Sequence, residues 1–194
     1  MAKKKILRDS APAPAREYRG DAKRNQILER LADQVLATGL NATSLRPLAA
    51  AVGTSDRMLL YYFPDKAALI TAILGCIVER LQATLNERVP SGRRLDPPDM
   101  VRTLWRLLRE PQLHPYMQIW LELAGFASRG EEPHRTIGAA IAGGFLDWIE
   151  ARLNAAEREA REQATTILTQ IEGMLLLDTF GIEVSAPRRS TPRR

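Results

Sequence analysis

Residues 43–66 have the sequence TSLRPLAAAVGTSDRMLLYYFPDK, which contains two short helical patterns on either side of Gly53. Glycine supplies the positive φ that a tight connection between two helices needs. Ser44 is the predicted N-cap of the first helix, so Pro47 falls within the first turn, where its missing N–H is tolerated. The second helix is predicted over about 55–62. This pattern indicates a helix-turn-helix.

The second helix of this motif carries candidate contacts to DNA. Because Leu59 and Tyr62 are its core-facing apolar positions, the opposite side is free to enter a major groove. Arg57 can pair bidentately with a guanine edge, and the helix N-terminus favours a phosphate. The alternative is a plain helical hairpin, which explains exposed Leu60 and Tyr61 poorly. The candidate residues on this side are Ser55, Asp56, Arg57, Leu60 and Tyr61.

The remaining periodic segments also have helical spacing, and none shows the sustained alternation of a half-buried strand. Asp21 is predicted to cap a first helix that Gly39 ends. Asp65 is predicted to cap a long helix that stops at Pro90, and Asp96 begins another. Later helices are expected to end near 109 and to span about 116–128, 134–154 and 157–180, with a short piece around Leu113. We predict an all-α fold of about nine helices.

Composition excludes several classes of protein. The chain has 194 residues, of which 45% are hydrophobic, so it can bury a core. Its apolar runs are too short for a membrane span, and no hydrophobic leader follows the Lys-rich start, so a cytoplasmic protein is expected. Cys76 is the single cysteine and is interpreted as a buried hydrophobe; with only His114 and His134, no metal site and no cofactor are predicted. No catalytic motif can be assembled, so an enzyme is not expected.

Positive charge is concentrated at the two ends of the chain. Residues 1–24 hold eight basic and three acidic side chains, and residues 183–194 hold four arginines and one glutamate. The net charge is +5, so the body of the chain is slightly acidic. We predict a disordered basic arm over 1–20 that meets a polyanion, and a basic tail over 183–194. The alternative is a solvated extension that only aids solubility.

Residues 24–69, with the sequence RNQILERLADQVLATGLNATSLRPLAAAVGTSDRMLLYYFPDKAAL, resemble the TetR family of transcriptional regulators. The matching elements are Ile27, Leu28, Gly39, the run from Thr43 to Arg46, Leu48, Ala49, Gly53, Ser55, Leu59, the run from Tyr61 to Phe63, and Lys66. The resemblance implies a three-helix DNA-binding domain, placed at 21–66. It also implies a larger helical domain for ligand binding and dimerisation, placed at 67–182.

The resemblance adds residues to the candidate DNA site. Lys66 is similar to a family lysine that contacts phosphate at the start of the fourth helix, and Ser44, Arg46 and Thr54 are added with it. Two positions depart from the family pattern: Arg57 replaces a usual glycine, and Leu60 replaces a usual tyrosine. The arginine adds base-reading capacity, whereas the leucine offers a surface for a thymine methyl group. The operator sequence therefore does not carry over from the family.

The larger domain carries two further sets of candidates. Aromatic and Met side chains between about 100 and 128 can line an apolar cavity or equally form plain core, and the resemblance implies a cavity. The candidate ligand-binding residues are Leu104, Trp105, Leu108, His114, Met117 and Trp120. Small residues crowd the penultimate helix and imply a four-helix dimer interface, against the alternative of packing within one chain. The candidate interface residues are Ala140, Gly143, Gly144, Trp148, Leu168, Ile171 and Leu175.

Together these features predict a ligand-responsive transcriptional regulator. We expect a repressor that binds a pseudo-palindromic operator in double-stranded DNA as a homodimer and is released by a small apolar effector. The alternative is a constitutive dimeric DNA-binding or architectural protein that has no effector.

Overall fold

Eight α-helices and two short 3₁₀ helices form the fold of residues 15–42 and 44–186, the parts of the chain that the computed structural model describes. The α-helices are α1 (Ala15–Thr38), α2 (Leu45–Ala51), α3 (Asp56–Tyr62), α4 (Lys66–Arg88), α5 (Pro97–Leu108), α6 (His114–Ser128), α7 (His134–Glu150) and α8 (Glu157–Thr179). The 3₁₀ helices are Leu40–Ala42 and Pro111–Leu113. In these two ranges the only strand-like pairing is one bridge between Leu95 and Leu153. The predicted all-α fold with an N-terminal helix-turn-helix is confirmed, with eight α-helices.

Two of the predicted helix termini are confirmed, and a third is wrong. Gly39 follows α1 with a φ of 82°, and the Asp65 carboxylate accepts a 2.7 Å hydrogen bond from the Ala68 N–H at the start of α4. The prediction that Asp21 caps the first helix is wrong, because α1 begins at Ala15. Residues 15–20 therefore belong to α1 and not to a disordered arm. Residues 1–14, which hold the rest of the predicted arm, lie outside the described residues, as do 187–194 of the tail.

Two hydrophobic clusters meet along α4. The first packs α1, α2 and α3 against the first half of α4 and against α6, and it includes Ile77. The second packs the rest of α4 with α5, α6, α7 and α8, and it includes Leu81. Since Ile77 and Leu81 are one helical turn apart, a single rigid helix belongs to both cores. The first core thus continues beyond the domain boundary predicted after residue 66.

By length and composition, α4 is also apolar enough to cross a membrane, which the sequence analysis did not anticipate. Eight of its residues are buried in the two clusters: Leu69, Ile70, Ile73, Leu74, Cys76, Ile77, Leu81 and Leu85. A core helix of a soluble protein has the same composition as a span, because both bury apolar side chains.

Cys76 lies on the buried side of α4, as predicted for a small hydrophobe. Burial raises the pKa of its thiol, and the negative charge of Glu29 on α1 raises the pKa further. The reactive thiolate is therefore disfavoured at neutral pH.

An arginine on α4 ties this helix to α1. The Arg80 guanidinium donates to the Asp33 carboxylate at 2.7 Å and to the backbone oxygen of Glu29 at 3.0 Å. It also forms an ion pair with the Glu29 carboxylate. Because both acidic side chains are exposed, these ion pairs orient the helices more than they stabilise them.

Candidate DNA-binding surface and ligand cavity

The turn between α2 and α3 is closed by two backbone hydrogen bonds around Gly53. The Gly53 N–H donates to the Ala50 oxygen at 3.1 Å, and the Thr54 N–H donates to the Ala49 oxygen at 2.9 Å. Gly53 has a φ of 67°, so the arrangement is a Schellman motif with glycine at its left-handed position. This closed turn sets the angle at which α3 leaves α2.

Residues in and next to α3 fix its first turn and its buried side. The Ser55 hydroxyl accepts a 3.3 Å hydrogen bond from the Met58 N–H and thereby caps the helix. Leu59 and Phe63 are buried in the first cluster. The guanidinium carbon of Arg24 on α1 lies 4.8 Å from the centre of the Phe63 ring, a contact that the sequence analysis missed.

The opposite side of α3 is exposed as predicted. Arg57 is exposed, Leu60 is 42% exposed and Tyr61 is 77% exposed. Met58, which was not among the candidates, is also exposed on this helix. Its apolar side chain made it look like a core residue in the sequence, although only its neighbour Leu59 is fully buried. An apolar and cationic surface therefore lies on a short helix beside a closed turn.

The remaining DNA-site candidates surround α3. Ser44, Arg46 and Lys66 are exposed, whereas Thr54 and Asp56 are half-buried. Within the described part of the chain, no hydrogen bond or ion pair engages the side chains of Arg46, Arg57 or Lys66. These three cations are available to an external anion, whereas Asp56 would repel one.

An apolar cavity lies among the helices of the second half of the chain. Its volume is about 70 Å³, and side chains from all five of the helices α4 to α8 form its wall. That volume exceeds the about 10–15 Å³ that one water needs, and it is about half that of an engineered cavity that holds benzene. The lining residues are Leu74, Ile77, Val78, Leu81, Leu85, Leu104, Leu108, Tyr116, Met117, Ile119, Trp120, Leu123, Ile141, Phe145, Trp148, Ile149, Leu168, Ile171, Glu172 and Leu175.

One acidic side chain interrupts this apolar wall. The Glu172 carboxylate accepts a 2.6 Å hydrogen bond from the indole N–H of Trp120. Burial raises the pKa of Glu172, although the hydrogen bond from Trp120 acts in the opposite direction. The carboxylate therefore sits where its charged form is poorly solvated.

Comparison with known proteins agrees with this geometry. Residues 27–73, which run from α1 through the turn and α3 into α4, match the model of the bacterial regulatory proteins of the tetR family. Over these residues the chain is similar to the tetR family. A curated relative is the HTH-type transcriptional regulator BetI of Pseudomonas fluorescens, 27% identical over 119 residues. The match spans 58% of this chain and only 58% of the length of that relative.

Solved structures share the tetR-family fold across most of the chain. A transcriptional regulator from Rhodococcus sp. Rha1 has a TM-score of 0.64 and 22% identity, covering 81% of this chain and 83% of its own. A Saccharomonospora viridis regulator in complex with choline also has a TM-score of 0.64, with 19% identity and coverages of 83% and 87%. The multidrug binding protein EbrR, complexed with imidazole, has a TM-score of 0.60 and 20% identity, with coverages of 86% and 98%. At these identities the likeness shows the fold.

The predicted ligand-binding residues separate into two groups. Leu104, Leu108, Met117 and Trp120 line the cavity. Trp105 and His114 do not. Trp105 is buried on another side of α5, where the Arg109 guanidinium carbon lies 5.4 Å from its ring centre, and His114 is exposed. Spacing within one helix does not reveal which apolar side meets neighbouring helices and which meets a void.

The predicted dimer interface requires a larger correction. Four of its residues line the cavity of their own chain, namely Trp148, Leu168, Ile171 and Leu175. Gly144 faces α4, because a Cβ atom there would lie 3.7 Å from the Gln82 side-chain nitrogen. Ala140 is exposed, and half-buried Gly143 has no atom outside its own helix within 4 Å of the position of a Cβ atom. Of the predicted interface residues, only these last two lie on an open side of α7.

Two acidic residues in the second half of the chain escaped the sequence analysis. Glu172 lies in α8, and Glu122 lies in α6. The Glu122 carboxylate accepts a 2.6 Å hydrogen bond from the Leu40 N–H, just after α1. In the sequence both look like solvent-facing charges on amphipathic helices, and no local signal marks them as partners of distant groups.

Proposed function

We propose that the protein is a ligand-responsive repressor that binds a pseudo-palindromic operator as a homodimer and releases it when an effector occupies the cavity. The observation that carries this proposal is the exposed surface of α3. Within the described residues the Arg57 side chain there has no hydrogen-bond or ion-pair partner, and the same holds for the neighbouring Arg46 and Lys66. A helix of this kind, on a turn that sets its angle, suits a major groove and its flanking phosphates. The protein would act on DNA in the cytoplasm and would not be an enzyme, in keeping with its regulatory relatives.

The domain division is proposed as 21–66 for DNA binding and 67–182 for ligand binding and dimerisation. The basic residues at 1–20 and 183–194 would add contacts to phosphate. Such contacts raise affinity without reading bases, because they act by releasing counterions. The shared helix α4 makes the two parts mechanically continuous.

Two helices connect the DNA-binding surface with the cavity. This connection favours a ligand-responsive regulator over a constitutive DNA-binding protein. The helix α4 bears Lys66 at its first turn and lines the cavity farther on, from Leu74 to Leu85. The helix α6 bears Trp120 in the cavity wall and holds the Leu40 N–H through Glu122. A ligand that shifts either helix would move the helix-turn-helix, provided that it binds the two arrangements with different affinity. The constitutive alternative assigns no role to the cavity.

A dimer is proposed through the open sides of α7 and α8. The residues on these sides are small or apolar: Ala139 and Ala140 are exposed and Gly143 is half-buried on α7, Thr169, Gly173, Leu176 and Leu177 are exposed on α8, and exposed Phe180 follows α8. Small residues let helix axes approach closely, and large exposed apolar side chains mark an association surface. Two-fold pairing of this face would create a four-helix interface and match a two-fold operator.

Replacing Arg57 with alanine tests the DNA-reading surface. An operator is first selected from a pool of random duplexes, and two inverted half-sites are expected. Arg57→Ala should weaken binding to this operator by about 1–3 kcal/mol and relax preference at one base of each half-site. Affinity for random DNA should change much less. The measurement is fluorescence anisotropy on both duplexes at one fixed salt concentration.

Arg106→Ala is the matched control, because Arg106 is an exposed arginine of α5, away from the helix-turn-helix. It should leave both affinities unchanged. An equal loss on operator and random DNA for Arg57→Ala would reduce this residue to a phosphate contact. Failure to enrich any sequence would overturn the proposed function itself.

Replacing Gly143 with leucine tests the dimer face. Apart from its chain neighbours and the backbone of its own helix, no atom lies within 4 Å of a Cβ atom at Gly143, so the leucine fits the protomer but crowds a closely packed partner helix. Overpacking of this kind costs about 1–3 kcal/mol, which raises the dimer dissociation constant by about fivefold to 150-fold. Sedimentation velocity across a dilution series measures it. Gly75→Leu is the matched change at an equally open position of α4, and an undiminished dimer in Gly143→Leu would place the interface elsewhere.

A further inference from the structure

The chemistry of the cavity wall specifies a class of ligand. Glu172 is the one residue with an ionisable acid among those that line the cavity, and the lining contains no Lys, Arg or His. A carboxylate facing an apolar space needs a compensating charge or must stay neutral, since desolvation of an isolated charge is costly. The wall therefore holds a negative group without a positive counterpart.

The hydrogen bonds of Glu172 leave half of its carboxylate unused. Oε2 accepts from Trp120 Nε1 at 2.6 Å. In the described ranges no donor reaches Oε1, and no Lys, Arg or His forms an ion pair with this residue. If Glu172 served only to satisfy the Trp120 indole, an uncharged amide would do so at a lower desolvation cost.

Aromatic side chains line the cavity together with Glu172. Tyr116 and Trp120 of α6 and Phe145 and Trp148 of α7 all line the same cavity. Aromatic faces carry negative electrostatic potential and attract organic cations, and tryptophan does so most strongly. A carboxylate together with four aromatic side chains is a setting suited to quaternary and other alkylated ammonium groups, which are weakly hydrated.

We propose that the effector site takes a small organic cation, whose alkylated nitrogen lies between the Glu172 carboxylate and the aromatic rings. This inference rests on the proposed function, in that it assigns a ligand class to the same cavity. It replaces the small apolar effector predicted from the sequence. The volume of about 70 Å³ favours a compact head group over an extended multi-ring compound.

Matched charged and uncharged probes test the proposal on the full-length protein. Choline and its carbon isostere 3,3-dimethylbutan-1-ol differ in the charge of one central atom but have nearly the same shape. Tetramethylammonium and tert-butanol form a smaller pair. At equal concentration the cation of at least one pair should raise the melting temperature of the wild-type protein, whereas its isostere should not. Calorimetric titration then gives the dissociation constant of the cation that binds.

Glu172→Gln provides the decisive variant. Its amide oxygen can still accept from Trp120, so folding is preserved while the charge is removed. Affinity for the cation should fall at least tenfold, and the preference over the uncharged isostere should disappear. Glu162→Gln makes the same change at an exposed position of α8 and should leave cation affinity unchanged. Glu172→Asp keeps the charge on a shorter side chain and should keep the preference for the cation, which serves as a second test if Glu172→Gln folds poorly.

Three outcomes would overturn the inference. Equal or tighter binding of the uncharged isosteres would make the cavity merely apolar, as would unchanged cation affinity in Glu172→Gln. Binding of neither member of either pair would also reject a small-cation site. Operator binding, measured on the same preparations, is independent of these results. If operator binding is retained, only the proposed ligand class is wrong. If operator binding is lost, the result counts against the proposed function.

Discussion

Replacing Phe63 with alanine should lower the free energy of unfolding by about 3–5 kcal/mol, the usual range for a buried phenylalanine. Phe63 follows α3, is 1% exposed, and lies in the cluster that joins the helix-turn-helix to α1 and α4. The substitution leaves a cavity at that junction and removes the ring on which Arg24 stacks at 4.8 Å. Chemical denaturation followed by circular dichroism measures the loss.

Tyr61→Ala is the control for Phe63→Ala, because it removes a ring of similar size two residues earlier. Tyr61 is 77% exposed, so its loss should change stability by no more than about 0.5 kcal/mol. Similar losses for the two variants would contradict the burial of Phe63. A loss confined to Phe63→Ala would show that α3 is held in place by this anchor.

Replacing Arg152 with alanine should destabilise the protein by about 2–4 kcal/mol. Arg152 is 6% exposed, and its guanidinium donates to the Val89 oxygen at 2.8 Å, the Trp148 oxygen at 3.1 Å and the Asn86 side-chain oxygen at 2.7 Å. The guanidinium carbon also lies 4.1 Å from the centre of the Trp148 ring. Alanine leaves the Val89 and Trp148 backbone oxygens without this donor, at about 1–3 kcal/mol each, whereas the Asn86 oxygen keeps its 2.8 Å hydrogen bond from the Trp148 indole N–H. Because burial already lowers the pKa of Arg152, removal of the charge offsets part of this loss.

Arg152→Lys separates hydrogen-bond geometry from charge. Lysine keeps the charge but lacks the planar fork that reaches three acceptors, so most of the destabilisation should remain. Arg158→Ala, at an exposed position near the start of α8, should change stability by no more than about 0.5 kcal/mol. Full stability in Arg152→Lys would mean that charge, and not the three hydrogen bonds, accounts for the effect. Thermal and denaturant unfolding of the three variants provide the comparison.

Prediction from the sequence succeeded where the controlling interactions are local. The turn at Gly53 depends on a single residue with positive φ, and the cap at Asp65 depends on a side chain that reaches only three residues along the chain. Such features are determined by short sequence patterns. For the same reason the helix-turn-helix and its exposed Arg57 could be predicted from the sequence. Asp21 was misplaced because its preference for an N-cap is weak compared with continuation of a helix that already begins at Ala15.

Amino-acid patterns alone established the all-α fold, the helix-turn-helix and the side of α3 that is exposed, because propensity, capping and helical period act within a few residues. Packing of distant helices settled the rest. It placed Trp148, Ile171 and Leu175 around an internal cavity instead of a dimer face, left Trp105 outside that cavity, and turned the Glu172 carboxylate toward it. A helix presents several apolar sides with the same period. Which side meets a void, a neighbouring helix or solvent is determined only when helices far apart in sequence are brought together.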